Sequence, residues 1–200
     1  MPARGDHDAR RRDVSEAVWR VLAARGFGGL TLRAVAAEMG ASTGLLTHYF
    51  PSKKALVAHA LDVADERTAT RPIRDAPAPG LPALRAALLD VLSLTPDAAA
   101  MNRVWVGSWD VSLADPDLAA RQKDRYDGWR GRLRPHVAEA VARGELPASR
   151  DVDDVVASAA AFGHGLVVHA LFDPARFPAD RQIAMLDDFL ASLGPAARPE

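Results

Sequence analysis

Between Ala41 and Leu56 the chain reads ASTGLLTHYFPSKKAL. Ser42, Thr43, Thr47, His48 and Tyr49 put three hydroxyls, an imidazole and a phenol into eight positions, and two lysines follow. A helix facing only a core would not spend its positions this way. One whose outer face must hydrogen-bond an external partner would. Short hydroxyl side chains can donate to or accept from base edges in a major groove, and a threonine methyl can meet the thymine methyl. Thr43 and Thr47, four apart, share a face, Gly44 lets the helix backbone come close, and His48 completes the polar set. Leu45, Leu46 and Phe50 supply the opposite, buried side. Ser42, Tyr49 and Lys53 are better placed for phosphates, as are Thr31 and Arg33 from the preceding helix. Lys53 opens a further helix, whose free N–H groups favour an anion.

The elements that must position these residues are helices. Apolar spacing is helical nearly throughout, with no convincing strict alternation. A first helix is expected from Arg10 to Arg25, with Val14, Ala17, Val18, Val21 and Leu22 inward and Gly26 ending it. Thr31 caps a second, which carries Leu32, Val35, Ala36 and Met39 and stops at Gly40. Ser42 or Thr43 opens the third. Residues 31–49 thus read as a helix-turn-helix, the first helix packed inside and the second lying in the groove. Ser52 caps a fourth helix from Lys53 to Arg67. The stretch 70–82, rich in proline and small residues, reads as a linker. The remainder predicts about five more helices, the last from Asp180 to Leu193. The expected fold is all-α: after a flexible basic arm (1–9) come two unequal parts, a DNA-binding domain (10–55) and a larger helical domain (56–200) for ligand binding and dimerisation.

Charge agrees with this division. Residues 1–60 hold nine Lys or Arg against five acids, +4, which leaves −5 on the rest of a chain of net charge −1. A basic head on a mildly acidic body suits a polyanion partner. The chain has no cysteine, which removes disulfides, thiolate catalysis and Cys-ligated zinc. No secretory signal opens it and no run of membrane-spanning length is expected, so a cytoplasmic protein is expected. There is no phosphate-binding glycine loop, nucleophile elbow or HExxH, and the pairs Asp153-Asp154 and Asp187-Asp188 read as solvated helix faces. No enzyme, cofactor or metal site is expected.

In the larger domain, Trp105 and Trp109 are four apart and Tyr126 and Trp129 lie on the next helix. Together with Met101, Asn102 and Phe162 they are the candidate lining of a ligand pocket; convergent rings would attract an organic cation. The helix 151–172 carries small residues, including Gly163 and Gly165 flanking His164. With the last helix it predicts a two-fold, four-helix dimer interface through Val155, Ala159, Phe162, Gly163, Leu166, Leu186 and Phe189.

The run GFGGLTLRAVAAEMGASTGLLTHYFPSKKALVAHAL resembles the N-terminal DNA-binding region of TetR-family transcriptional regulators, from residue 10 to about 65. The glycine turn, STGLLTHYF and PSKKAL carry the likeness. Residues 80–193 are more loosely similar to the choline-responsive, BetI-type branch. The resemblance implies a homodimer on a pseudo-palindromic double-stranded operator, most often a repressor released by a small-molecule effector, with Thr43, Gly44, Thr47 and His48 reading bases. Many members carry Tyr where this chain has Thr47, so their operators do not transfer. The same fold serves activators and dual regulators, and a ligand-binding or interaction protein without specific DNA binding is the other class considered.

Overall fold

The computed structural model describes residues 4–75 and 78–194, at residues 4–9 and Arg11 by the backbone only. Among them are nine α-helices, one 3-10 turn and no strand. The chain divides into two compact units.

The first unit holds α1 (Arg4–Arg25), the 3-10 turn Phe27–Gly29, α2 (Leu32–Glu38), α3 (Thr43–Thr47) and α4 (Lys53–Ala69). It also takes Arg103–Leu113 of α6 (Pro96–Leu113) and the first residues of α7 (Pro116–Ala142). Val14, Ala17, Val18, Val21 and Leu22 are all buried, so the apolar stripe read from α1 is its core face. Val35 and Leu46 seat α2 and α3 on that core, each 0% exposed.

The second unit holds α5 (Leu81–Leu89), the first turns of α6, the rest of α7, α8 (Val152–Phe172) and α9 (Ala179–Leu193). α5 packs on α8 and α9, and α8 on α9. Arg85 on α5 grips Asp187 on α9 with both ends of its guanidinium, at 2.5 and 2.9 Å. Asp187 is therefore an ion-pair partner and not a purely solvated residue. Buried Gln182 ties α9 to the turn after α5, accepting from Ser93 N at 3.2 Å and donating to Phe177 O at 2.9 Å.

Three expectations are corrected. Residues 4–9 are the first turns of α1, not a flexible arm; residues 1–3 of that expected arm lie outside the described residues. The boundary near 55 does not divide the chain, because α4 packs along α1 and the last turns of α6 join the same unit. Finally, α8, 21 residues at mean hydropathy 1.7, is long and apolar enough to cross a membrane by length and composition. Its apolar face is spent on the core of its own unit: Val155, Val156, Ala159, Leu166 and Val167 are buried.

Candidate nucleic-acid interface and effector-domain residues

The turn that aims α3 follows from Gly40. Its φ of 61° is a left-handed conformation that glycine adopts without a Cβ penalty. It lets Ala41 N reach Ala36 O at 2.9 Å and Gly40 N reach Ala37 O at 3.2 Å. This paired closure satisfies the last carbonyls of α2 and stops it. Hydroxyl caps start the helices around it. Thr31 accepts from Ala34 N at 3.0 Å, Ser42 from Leu45 N at 3.3 Å and Ser52 from Ala55 N at 3.1 Å. In each cap the oxygen lone pair is used inward, which leaves the hydroxyl proton for an outside acceptor.

On α3 one face is buried and the other exposed, with Leu45, expected on the buried side, only half-buried. Leu46 is fully buried and Phe50 nearly so, whereas Ser42, Thr43, Gly44, Thr47 and His48 are all exposed. Tyr49 and Leu45 are half-buried. The Thr47 hydroxyl donates to Gly44 O at 2.8 Å. A Cβ built at Gly44 would come no closer than 3.9 Å to any atom, the nearest being Ser42 Oγ. No contact within the chain therefore requires glycine there. Arg33 and Lys53 are exposed as well.

α4 holds this array in place. The Phe50 ring sits 5.1 Å from the His59 ring of α4, and Ser15 Oγ of α1 lies 3.2 Å from His59 Nε2. Arg67 pairs with Glu16 at 2.5 Å while its guanidinium lies over Trp19, 4.7 Å from the ring centre. Lys54, the neighbour of Lys53, binds Asp115 and Asp117 at 3.0 and 2.6 Å, a pairing that the sequence does not announce.

The candidate pocket residues are divided between the two units. Trp105 and Trp109 belong to the first unit; Met101, Asn102, Tyr126, Trp129 and Phe162 belong to the second. Trp105 is buried, and its indole N–H donates to Thr68 Oγ1 of α4 at 3.0 Å. Asn102 is buried too, and its amide donates to Val91 O and Ser93 Oγ, both at 2.9 Å. It therefore fixes the turn between α5 and α6 and has no donor left for a ligand. Met101 is buried and Trp109 half-exposed. Within the second unit Tyr126 and Trp129 do come together, around His164, at ring distances of 5.1 and 4.7 Å. Burial, then the charges of Arg125 and Arg130, push the His164 pKa down to about 4. Phe162 lies elsewhere, stacked on Phe189 at 4.3 Å.

The expected interface residues also need correction. Val155, Ala159, Gly163, Leu166 and Leu186 are buried within the protomer, so they pack its own core; only Phe162 and Phe189 reach the surface. Midway along α8 the outward residues are Ala157, Ser158, Ala161 and Gly165, with Asp153, Asp154, His169 and Phe172 exposed toward its ends. A Cβ added at Gly163 would meet Val91, Leu88 and Trp129 at ordinary packing distances of 3.7 to 3.9 Å. A shallow groove of about 270 Å³ runs along α5, lined by Arg74, Asp75, Pro82, Arg85, Ala86 and Leu89; none of these residues was a sequence candidate.

A capped two-helix turn that buries one face of a short helix and exposes a hydroxyl-rich face beside two lysines defines a helix-turn-helix DNA-binding regulator. Residues 15–60 match the family described as bacterial regulatory proteins, tetR family, and residues 81–195 match the BetI-type transcriptional repressor, C-terminal family. The chain is 31% identical to the HTH-type transcriptional regulator PksA of Bacillus subtilis (strain 168), over 90% of this chain and 88% of that protein. In fold it is similar to a transcriptional regulator from Saccharomonospora viridis solved in complex with choline, with a TM-score of 0.78 and 24% identity over 92% and 96% of the two chains. It is likewise similar to a TetR transcription regulator from Haloarcula marismortui, with a TM-score of 0.79 and 18% identity over 94% and 100%. The chain belongs to the TetR family of transcriptional regulators, with a BetI-type C-terminal domain. It is a regulator of transcription and not an enzyme.

Proposed function

We propose that the protein is a cytoplasmic, homodimeric repressor that leaves a pseudo-palindromic operator when a small molecule binds. The observation that carries this reading is the face of α3. Thr43, Gly44, Thr47 and His48 are exposed together while Leu46 beneath them is fully buried. These four read base edges. Thr31, Arg33, Ser42, Tyr49 and Lys53 hold flanking phosphates and fix the register. Release as the default response is supported by the BetI-type repressor match of residues 81–195.

The dimer forms through α8 and α9, by the outward residues Ala157, Ser158, Ala161 and Gly165 with the stacked pair Phe162 and Phe189. Small side chains permit close helix approach, and a two-fold axis places two recognition helices on two half-sites. The effector is a small organic molecule. Choline, bound by the Saccharomonospora viridis neighbour, is the first compound to titrate. The half-buried rings Tyr126 and Trp129, which meet around His164, are the candidates for contact with it.

The test is selection of sheared genomic DNA from the source organism by purified protein, followed by sequencing. A few sharp sites sharing a two-fold symmetric motif support the reading, and reporter transcription from those sites distinguishes repression from activation. Salt-sensitive binding without a shared motif would overturn it. Effectors are then found by titrating choline and the substrates of neighbouring genes against the protein–operator complex.

A further inference from the structure

Lys53 and Lys54 stand side by side after the recognition helix, yet their surroundings differ. The Lys54 ammonium lies 2.6 Å from Asp117 Oδ2 and 3.0 Å from Asp115 Oδ2. Both acids lie where α6 gives way to α7, Asp115 between the two helices and Asp117 in the first turn of α7. Local chemistry fixes that turn. Asp115 Oδ1 accepts from Asp117 N at 3.0 Å and from Leu118 N at 3.3 Å, which caps α7. Pro116 fills the first helical position, where no N–H is needed. Asp117 sits in the first turn, where the helix dipole favours a carboxylate. Asp115 thus serves twice: Oδ1 caps α7, and Oδ2 faces Lys54.

At the other end of α4, Thr68 accepts the indole N–H of Trp105 on α6. Residues 54 and 68 are about 21 Å apart along a helix axis, so α4 is tied near both ends to the last turns of α6 and the turn that follows. The link continues toward α3 because Phe50, the residue that closes it, packs on His59 of α4. Lys54 lies upstream of that packing, in the first turn of α4.

We infer that Lys54 is a positioning residue for DNA binding, held by Asp115 and Asp117 so that the first turn of α4 presents the recognition helix in its binding orientation. The inference rests on the DNA-binding reading of α3. Lys54 does not contact phosphate; its neighbour Lys53 does. The hydrogen bonds that Lys54 donates to Asp117 and then to Asp115 raise its pKa, and Lys54 in turn lowers that of Asp115, as a mutually satisfied cluster should.

The sign of one experiment decides between positioning and phosphate binding. Taking two carboxylates away from a protein that binds a polyanion tightens binding on electrostatic grounds alone. A lysine freed from them for phosphate would tighten it further. If Lys54 positions the helix, the variant Asp115→Asn/Asp117→Asn instead weakens operator binding, about three- to tenfold, although Asn at 115 still caps α7. Lys54→Met weakens it by a similar factor, and the triple variant is no worse than either, as expected for members of one cluster. The slope of log affinity against log salt stays at the wild-type value in all three, while Lys53→Met, which removes a phosphate ligand, lowers it by about one.

The binding is measured with operator fragments recovered from the genomic selection, and circular dichroism checks that each variant folds. Tighter binding by the Asn variant, or a reduced salt slope for Lys54→Met, would make Lys54 a restrained phosphate ligand and overturn the inference. Unchanged affinity in both variants would overturn it as well. Wild-type protein in the same titration separates this failure from the other, since absence of operator binding there refutes the DNA-binding reading itself.

Discussion

At the scale of the residue, each side chain of α3 has a separable role. Gly44 is helical, exposed and open around its missing Cβ, and alanine is favoured over glycine in a helix by up to about 1 kcal/mol. Gly44→Ala should therefore leave stability unchanged or slightly raised while operator affinity falls; thermal unfolding and operator titration check the two halves. Thr43→Ala and Thr47→Ala should each remove about 1–3 kcal/mol of specific binding without loss of fold. Leu46→Ala should do the reverse, costing about 2–5 kcal/mol of stability because Leu46 is fully buried. His164 yields a prediction in pH. Its pKa is lowered to about 4 against about 6.5 in the unfolded chain, so between these values the unfolded state binds more protons. Its contribution to stability is complete above pH 6.5 and is lost as pH falls toward 4, by up to about 3 kcal/mol. Denaturant unfolding at pH 7.5, 5.5 and 4.5 should show this decline, and His164→Phe should flatten it; equal slopes in both proteins would refute it.

At the scale of the element, the sequence is most legible where a single residue decides a helix end. Thr31, Ser42 and Ser52 are expected caps, and each accepts the N–H three residues on; Gly40 is the expected stop and has the required positive φ. Periodicity also separates the buried and exposed sides of α3. It cannot tell which neighbour a buried stripe meets. In α8 the larger stripe of Val155, Ala159, Gly163 and Leu166, expected against a second copy, packs inside the protomer. The weaker stripe of Ala157, Ala161 and Gly165 faces out. Lys54 is illegible for a different reason, since its partners lie some sixty positions away and no local pattern announces them. The outward stripe makes its own prediction. Gly165→Leu places a bulky side chain on the proposed dimer face, where a Cβ meets nothing within 4 Å in the protomer. The variant should keep its helical content but sediment as a monomer. Ala159→Leu, at a position with 0% exposure, should lower the unfolding temperature instead. A dimeric Gly165→Leu would move the interface off this face.

At the scale of the whole molecule, two units are joined by three crossings of the chain, at 71/72, 102/103 and 119/120. The last two fall within the residue ranges of α6 and α7. Trp105, expected beside a ligand, donates to Thr68 of α4, a bond that lies wholly within the first unit. The proposed release of operator by an effector is a free-energy coupling between two sites, and such a coupling is reciprocal. An effector that weakens operator binding by some factor must itself be bound more weakly by the same factor when operator is present. Couplings of this kind are typically about 1–3 kcal/mol, or roughly 5- to 150-fold. The prediction is checked by measuring effector affinity with and without saturating operator, and operator affinity with and without saturating effector. The two ratios should agree within error, and both should be unchanged in Thr43→Ala, which weakens operator binding without touching the coupling. A compound that binds tightly with a ratio of one in both directions is not the inducer, however high its affinity, because it does not distinguish the two states.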